Sequence, residues 1–184
     1  MRVVGPAPGS LALPTHGRPA PFSGGTGYRG VTAPPSERLR TLGIELPPPP
    51  APAGTYASVV VVGSSAWVSG QIVREQGAVV HPGLVGREVT PEAAKELARR
   101  ATLQALAALH AALGSLDRVR RIVKVTVYVA SAPGFDRQHE VANGATDLLV
   151  EIFGDEGRPA RSAVGVAALP LSAPVEVDFV VSTA

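Results

Sequence analysis

The sequence predicts an α+β fold of order ββαβαββ, in which a mixed sheet carries two helices packed on one face. Short Val-rich runs occur near residue 60 and again near residue 180. Two longer segments, 90–114 and 135–154, carry apolar residues at helical spacing, and a strand-like run separates them. Because each amphipathic helix must bury its apolar stripe against another layer, these elements predict two helices on a shared sheet.

Composition limits the classes of protein that the chain can represent. With 184 residues it can form one well-buried domain, and with only 4% aromatics its core must consist of Val, Leu and Ala. The absence of cysteine excludes disulfides, thiolate catalysis and Cys-ligated zinc. No apolar run approaches the roughly 18 to 20 residues needed to span a bilayer. We therefore expect a cytoplasmic protein without membrane contact.

The N-terminal part differs in composition from the rest. Twelve of the 18 prolines lie in residues 1–52, which predicts a Pro/Gly-rich extension followed by a folded domain at 53–184. We expect residues 1–34 to be disordered and 47–52 to be a stiff extended linker. A short helix is possible at 36–45, capped by Ser36, with two leucines facing inward, Leu39 and Leu42.

The positive charge also belongs to the N-terminal part. Residues 1–52 hold five Arg and two Glu, a balance of +3, whereas residues 53–184 hold 12 basic and 13 acidic residues, a balance of −1. A domain without excess positive charge offers little attraction for phosphates. Nucleic acid is therefore not an expected partner.

The first elements of the domain are two strands and a helix. "YASVVVVG" and "AWVSGQIV" flank "GSS", which indicates a hairpin, and Trp67 is expected in the core. In the following helix Thr90 is the expected N-cap, Pro91 fits the first helical position and Gly114 fits the C-terminal cap. The inward stripe of this helix falls on positions 94, 97, 98, 101 and 105.

The next strand and helix follow the same logic. In "RVRRIVKVTVYVAS", strict alternation would place Ile122, Lys124, Thr126 and Tyr128 on one face and Val123, Val125, Val127 and Val129 on the other. The segment 135–154 is predicted to be a helix, because its apolar residues recur at helical spacing and would face the core at positions 141, 145, 148, 149 and 152. Asn143 and Gly144 in its middle oppose helix formation, which suggests that they serve a site.

Charges in the two closing strands are the candidates for chemistry. Arg161 opens one strand, and Glu176 and Asp178 share one face of the other. The guanidinium of Arg161 could bind a carboxylate as a planar fork, or it could be an ordinary surface group. Asp178 is expected to face solvent. None of the common phosphate, nucleophile or zinc motifs occurs, and the scattered histidines predict no metal site.

These segments carry a resemblance to a known family. "GRPARSAVGVAALPLSAPVEVDFVV", preceded by "VKVTVYVAS" and "VSGQI", resembles the RidA/YjgF family of imine deaminases, formerly called endoribonuclease L-PSP, over about residues 56–181. The chain is similar to a divergent branch of it, because "GTYASV" replaces the usual "GPYSQA", Ala163 replaces a common cysteine and Gly165 a glutamate.

The resemblance implies a chorismate-mutase-like homotrimer with sites between subunits. It assigns catalytic roles to Arg161 as carboxylate clamp, to Glu176, 15 residues later, as the group that positions water, and to Tyr56, 13 residues before Ser69. Asn143 would contact substrate, as would backbone groups of Ala163 and Gly70. The implied reaction is hydrolysis of imines or enamines of small carboxylates to 2-oxo acids and ammonia, without cofactor or metal.

Two other functions stay open at this stage. The chain could be a regulatory trimer that binds small carboxylates without turnover. A ribonuclease or translation-inhibitor activity is also attributed to the family, but the near-neutral domain and its few aromatics argue against it.

A simple register supports a shared site. If the last two strands formed a hairpin centred near residues 171 and 172, Arg161 would pair near residue 182 and Glu176 near residue 167. The two charges would then lie roughly 20 Å apart at ~3.3 Å per residue. One small ligand could not reach both within a single chain.

Overall fold

The computed structural model describes residues 33–184, so the expectation of disorder for residues 1–34 falls almost entirely outside the described residues. The helices and strands, in chain order, are α1 (Pro35–Leu42), β1 (Val59–Val62), β2 (Ser65–Gln71), β3 (Arg74–Glu75), β4 (Ala78–Val79), α2 (Pro91–Leu113), β5 (Val119–Ala130), α3 (Gln138–Phe153), β6 (Ala160–Val166) and β7 (Val175–Thr183). Short 3₁₀ turns occupy Leu116–Arg118, Gly154–Gly157 and Pro170–Ser172. Apart from α1 and the small β3–β4 ribbon, this is the predicted ββαβαββ order.

The main sheet is mixed, and its strand order is β1-β2-β7-β5-β6. β5 and β6 run parallel, whereas the other neighbours are antiparallel. The assumed hairpin of the last two strands is therefore wrong, because β5 lies between β6 and β7. Parallel pairing with β5 requires the chain to cross over through α3 before β6, so β6 takes the sheet edge and β7 returns to the centre.

Both long helices cover one face of this sheet. The five stripe positions predicted for α2 are buried, and so are the five predicted for α3. As predicted, the Thr90 hydroxyl accepts a hydrogen bond from the Ala93 amide, and Gly114 ends α2 in the left-handed conformation. The helices pack on β-branched residues that alternate along β5 and β7, which form the centre of the core.

Gly144 explains why α2 and α3 lie so close together. A Cβ atom at this position would stand 1.9 Å from the carbonyl oxygen of Lys95 in α2. The glycine that opposes helix formation in the sequence is thus required by helix–helix packing, and its neighbour Asn143 is the residue that points to a site.

A β-bulge in β5 changes the predicted alternation. Ile122 pairs with Val181 and Lys124 with Val180, so Val123 is the extra residue between them. Consequently Ile122 is fully buried on the helix face, and Val123 is exposed. After the bulge the predicted alternation holds, with Val125 facing the helices.

The other face of the sheet is not covered by any described element. Trp67 lies there with 56% of its surface exposed, so its predicted place in the core is wrong. The register explains why, because Trp67 pairs with Val180 on β7, whereas the flanking Ala66 and Val68 pair with residues that point to the helices. We call this surface the open face.

The predicted short N-terminal helix exists as α1 and is attached to the domain. Leu39 is buried as expected, but Leu42 is 45% exposed. Ser36 does not cap the helix, since Pro34 holds the N-cap position; its amide and hydroxyl instead donate to the Asp117 carboxylate at 2.9 and 2.7 Å. Nε of Arg38 donates to the carbonyl of Glu151.

Candidate active site

Three of the predicted site residues line one cavity of about 870 Å³, which we call the cleft. They are Tyr56, Gly70 and Glu176. The remaining walls come from the proline segment, the end of β2, the β3–β4 ribbon, one residue of α2 and the turn before β7. They are Pro47, Pro48, Pro50, Ala51, Ala53, Ser69, Gln71, Ile72, Arg74, Gly77, Gln104, Pro170 and Leu171. Segments far apart in sequence therefore enclose one space.

Gly70 determines where the Glu176 side chain can lie. A Cβ atom at residue 70 would stand 1.8 Å from Oε1 of Glu176, so any other residue would displace the carboxylate. The pairing of β2 with β7 is irregular between Val68 and Gln71, which brings Gly70 against Glu176. Gly70 thus leaves the space that the Glu176 side chain occupies.

The environment of Glu176 disfavours its ionised form. Burial raises the pKa of the Glu176 carboxyl, and the negative charge of Asp178 on the same face raises it further. Within residues 33–184, no Lys or Arg nitrogen lies within 4.0 Å of this carboxylate. A half-buried carboxylate without a compensating cation is poised to accept a proton or to hold water.

Asp178 is not the solvent-exposed group that the sequence predicted. It is half-buried on the open face and accepts a hydrogen bond of 3.0 Å from the Tyr128 hydroxyl. Burial raises the pKa of Tyr128, and the Asp178 carboxylate raises it further. Tyr128 therefore stays protonated and donates a hydrogen bond to Asp178. No side chain in residues 33–184 donates a hydrogen bond to the Glu176 carboxylate in the same way.

Tyr56 is placed in the cleft by local contacts. Its hydroxyl accepts a hydrogen bond of 3.2 Å from the Ala53 amide, which folds the side chain back over the proline segment. The Ser69 hydroxyl donates to the Ala57 carbonyl at 2.7 Å and ties this segment to β2. Because the phenol hydrogen is not used in the Ala53 contact, Tyr56 can donate it to a bound ligand.

Two other predicted residues meet at the edge of the sheet, beside α3. Nη1 of Arg161 donates to Oδ1 of Asn143 at 2.7 Å and to Oγ1 of Thr146 at 3.1 Å. In the described part of the chain, Nε and Nη2 of Arg161 have no acceptor, and no carboxylate forms an ion pair with it. The guanidinium is held from one side and presents its other edge for a bidentate anion. We call Arg161, Asn143 and Thr146 the arginine edge.

Ala163 and Gly165 follow Arg161 on the same side of β6. The Ala163 side chain packs against the core. Because β6 is an edge strand of the described sheet, backbone N–H and C=O groups on its outer side have no strand partner and could contact a substrate. A side chain at Gly165 would stand 2.8 Å from Nε2 of Gln138, which donates to Ser131 and to the Phe135 carbonyl. Gln138 fills the space of a larger residue.

Arg161 and Glu176 project from opposite faces of the sheet. Arg161 pairs with Val125, which faces the helices, and Glu176 pairs with Tyr128 on the open face. Three residues along β5 and two strand spacings separate them, about 14 Å between Cα positions at ~3.3 and ~4.8 Å per step. The hairpin that suggested a separation of the two charges is wrong. In the structure the separation arises because β5 lies between β6 and β7.

Other features of the described residues add no site residue. A second cavity of about 490 Å³ lies at the start of α2 and contains none of the predicted site residues. Within residues 33–184 there is no group of three His, Asp or Glu side chains that could hold a metal ion. No helix in that range is long and apolar enough to cross a membrane.

Residues 36–181 match the family model described as "YjgF/chorismate_mutase-like, putative endoribonuclease". The chain belongs to the YjgF/RidA family. The matched region begins in α1, so the family pattern includes this helix.

Curated relatives and solved structures are similar to the chain over most of its length. Protein TCP17 of Trypanosoma cruzi is 47% identical over 78% of this chain and 90% of its own length. A 2-iminobutanoate/2-iminopropanoate deaminase of the mite Dermatophagoides farinae is 30% identical over 75% of this chain and 93% of its own. A solved structure from Shewanella oneidensis, titled "putative endoribonuclease", superposes with a TM-score of 0.77 at 32% identity, covering 82% of this chain and 99% of its own.

Sequence reasoning missed three contributors to the site. Thr146, one turn after Asn143 on α3, holds Arg161, and its helical spacing was a usable signal. The segment 47–52, expected to be a stiff extended linker, also forms a wall of the cleft together with Ala53, which was not predicted. Arg74 also lines the cleft, and nothing in its local sequence indicated this, because it depends on how the β3–β4 ribbon folds.

Proposed function

We propose that this protein hydrolyses imines, and the enamines that tautomerise to them, of small carboxylates. The observation that carries the proposal is the Glu176 carboxylate, half-buried, with a raised pKa and without a cation among the described residues, facing a cleft that also holds Tyr56. The name of the deaminase relative is consistent with this chemistry.

The reaction needs one water and no electron transfer. Water adds to the electrophilic imine carbon, forming a tetrahedral carbinolamine; its hydroxyl then loses a proton as the carbon–nitrogen bond breaks. The products are a 2-oxo acid and ammonia. A base near the water and a proton donor near the leaving nitrogen are therefore sufficient.

The residues divide these tasks. Glu176 orients the water and accepts its proton, and its raised pKa makes it a better base than an ordinary exposed carboxylate. Tyr56 donates a hydrogen bond in the cleft. Arg161 binds the substrate carboxylate through its free Nε and Nη2 edge, held by Asn143 and Thr146. None of these steps uses a cofactor or metal.

We further propose that the complete site lies between subunits of a homotrimer. Its support is the separation of Arg161 and Glu176 on opposite faces of one sheet. Within a trimer, Arg161 of one chain would complete the cleft of its neighbour. The uncovered open face, with its exposed Trp67, is the apolar surface that such an assembly would bury.

Hybrid oligomers test both parts of the proposal. Chains with Arg161→Ala and chains with Glu176→Ala should each be inactive on an imine generated in situ by an amino acid oxidase, with ammonia release above the spontaneous rate as the readout. Mixed after dissociation and reassembled, they should regain partial activity, because some sites combine an intact arginine with an intact glutamate. Native mass spectrometry confirms that hybrids have formed.

The results separate the alternatives. Confirmed hybrids without activity would exclude a shared site. A wild-type protein that binds 2-oxobutanoate but accelerates no imine would instead be the regulatory carboxylate-binding trimer.

A further inference from the structure

Arg74 is a second cation of the site that the proposed mechanism does not use. It lines the cleft together with Glu176, and these two are the only charged residues among the described residues that do so. Arg161 of the same chain is not part of this lining. Whatever enters the cleft therefore meets one carboxylate and one guanidinium from the same chain.

The β3–β4 ribbon fixes the orientation of this guanidinium. Nε and Nη2 of Arg74 donate to the Gly77 carbonyl at 3.3 and 2.8 Å. Gln76 and Gly77 both have positive φ, at 49° and 87°, as a tight two-residue turn requires. Because the contact uses the Nε side, the Nη1 and Nη2 edge is left for a ligand.

The neighbouring carboxylate on the ribbon, Glu75, is paired with another residue and not with Arg74. Glu75 forms an ion pair with Arg100 of α2 and is thereby removed from Arg74. Among residues 33–184 no carboxylate lies within 4.0 Å of the Arg74 guanidinium. An oriented cation without an anion beside a cavity is suited to bind an anionic group of a ligand.

The size of the cleft points in the same direction. Its volume of about 870 Å³ is near the upper end of the range of roughly 300–1,000 Å³ for cavities that hold drug-sized ligands. A four-carbon imino acid would leave much of this space to water. The cleft can hold a longer substrate with a second polar end.

We infer that Arg74 binds a second anionic group of the substrate, so that the substrates are imino or enamino acids with a carboxylate at each end. The inference rests on the proposed function, in which Arg161 of a neighbouring chain binds the carboxylate next to the imine carbon. Arg74 then binds the distal carboxylate and sets specificity without taking part in bond breaking.

Binding of the two product classes tests the inference without relying on turnover. Calorimetry on the full chain should show that 2-oxoglutarate, a dicarboxylate, binds at least about tenfold more tightly than 2-oxobutanoate, which corresponds to about 1.4 kcal/mol. Arg74→Gln should remove this preference by weakening 2-oxoglutarate alone. Arg120→Gln, at an exposed arginine on β5, is the matched control and should change neither affinity.

A second variant and a melting-temperature measurement separate a role of Arg74 in ligand binding from a role in the structure of the ribbon. Arg74→Lys retains the charge and should keep part of the preference, whereas a purely structural role in the ribbon would appear as a lower melting temperature of both variants. Equal wild-type affinity for the two acids would overturn the inference, and so would an equal loss of both in Arg74→Gln, which would make Arg74 the common anchor. Failure to hydrolyse the imines of glutamate and 2-aminobutyrate would overturn the proposed function while leaving the binding result intact.

Discussion

The cleft and the arginine edge place their charged groups in opposite electrostatic environments. In the cleft, separate segments surround Glu176, and burial disfavours its charge. At the arginine edge, Arg161 is exposed, and two neutral acceptors from the adjacent helix hold it. A group that exchanges a proton works best when its environment shifts its pKa away from the ordinary value. A group that recognises an anion works best when it stays charged and its donors are held in a fixed orientation. Under the proposed function, this difference assigns proton transfer to the cleft and anion recognition to the arginine edge.

The largest effect should follow from changing the cleft carboxylate. Glu176→Gln keeps the shape and should lower kcat for imine hydrolysis by about 10² to 10⁴-fold, as expected for loss of a general base. Affinity for 2-oxobutanoate should be almost unchanged. Asp178→Asn is the control, because it changes the neighbouring charge but leaves Glu176 in place. A Glu176→Gln enzyme with wild-type kcat would remove proton transfer from the cleft.

Changes at the arginine edge should act on binding. Arg161→Ala should weaken 2-oxobutanoate binding by roughly 10 to 100-fold, since hydrogen bonds to charged groups contribute about 1.5–3 kcal/mol. Arg161→Lys should also bind poorly, because a point charge cannot reproduce the planar fork. Titration calorimetry measures both, and circular dichroism verifies folding. Wild-type affinity in Arg161→Ala would contradict the anion-clamp role.

Thr146 offers a finer test of the same edge. Thr146→Val removes one acceptor of the Arg161 guanidinium and should weaken 2-oxobutanoate binding by only a few-fold, because Asn143 still accepts from Nη1 and the guanidinium itself remains. Thr146→Ser restores the hydroxyl and should recover affinity. A loss that serine does not rescue would mean that packing, and not orientation of Arg161, is responsible.

A smaller effect is expected on the pH dependence of stability, which should change when the cleft carboxylate is replaced but not when Arg161 is replaced. Because the pKa of Glu176 is raised in the folded state, the folded protein binds more protons than the unfolded chain, and stability falls as pH rises above the ordinary value of 4.5. Glu176→Gln should therefore raise the melting temperature by a few degrees at pH 7 but not at pH 4. Arg161→Gln should show no such pH-dependent gain. Equal gains at both pH values would contradict the burial argument.

The smallest effect is expected from the N-terminal tail. Deletion of residues 1–32 keeps the Pro34 cap and both regions, so the melting temperature and the affinity for 2-oxobutanoate should not change. Differential scanning calorimetry is the measurement. A fall of several degrees would show that the tail packs on the domain.

The sequence predicted the layers of this fold better than their connections. Caps and periodicity fixed α2 and α3, since Thr90, Gly114 and the apolar stripes act locally. It misplaced Trp67 and Ile122, because a strand's inward face depends on register, and the bulge at Val123 reverses it. Bulges and crossovers depend on long-range pairing, which local patterns do not contain.

The roles of the candidate site residues stay predictions, whereas their positions in the fold can be compared with the sequence. Arg161, Asn143, Glu176 and Tyr56 were identified from a family pattern, and the structure brings them together as two separate pairs. The separation of Arg161 from Glu176 was expected, but from an incorrect hairpin. Its actual cause, the position of β5 between the two closing strands, could not be predicted from local sequence. Arg74 was missed because its position depends on the ribbon and not on spacing.

The attachment of α1 has a consequence for rebuilding the chain. The amide and hydroxyl of Ser36 donate to the Asp117 carboxylate, and the amide of Ala184 donates to the carbonyl of Arg118. The start of the described fold and its last residue thus meet at one corner, about 26 Å along β7 from Glu176 at ~3.3 Å per residue. A short linker from Ala184 to the residue before α1 would give a circular permutant, with new ends opened at the exposed turn around Gly63. Labels or fused domains at this corner would also stay clear of the cleft.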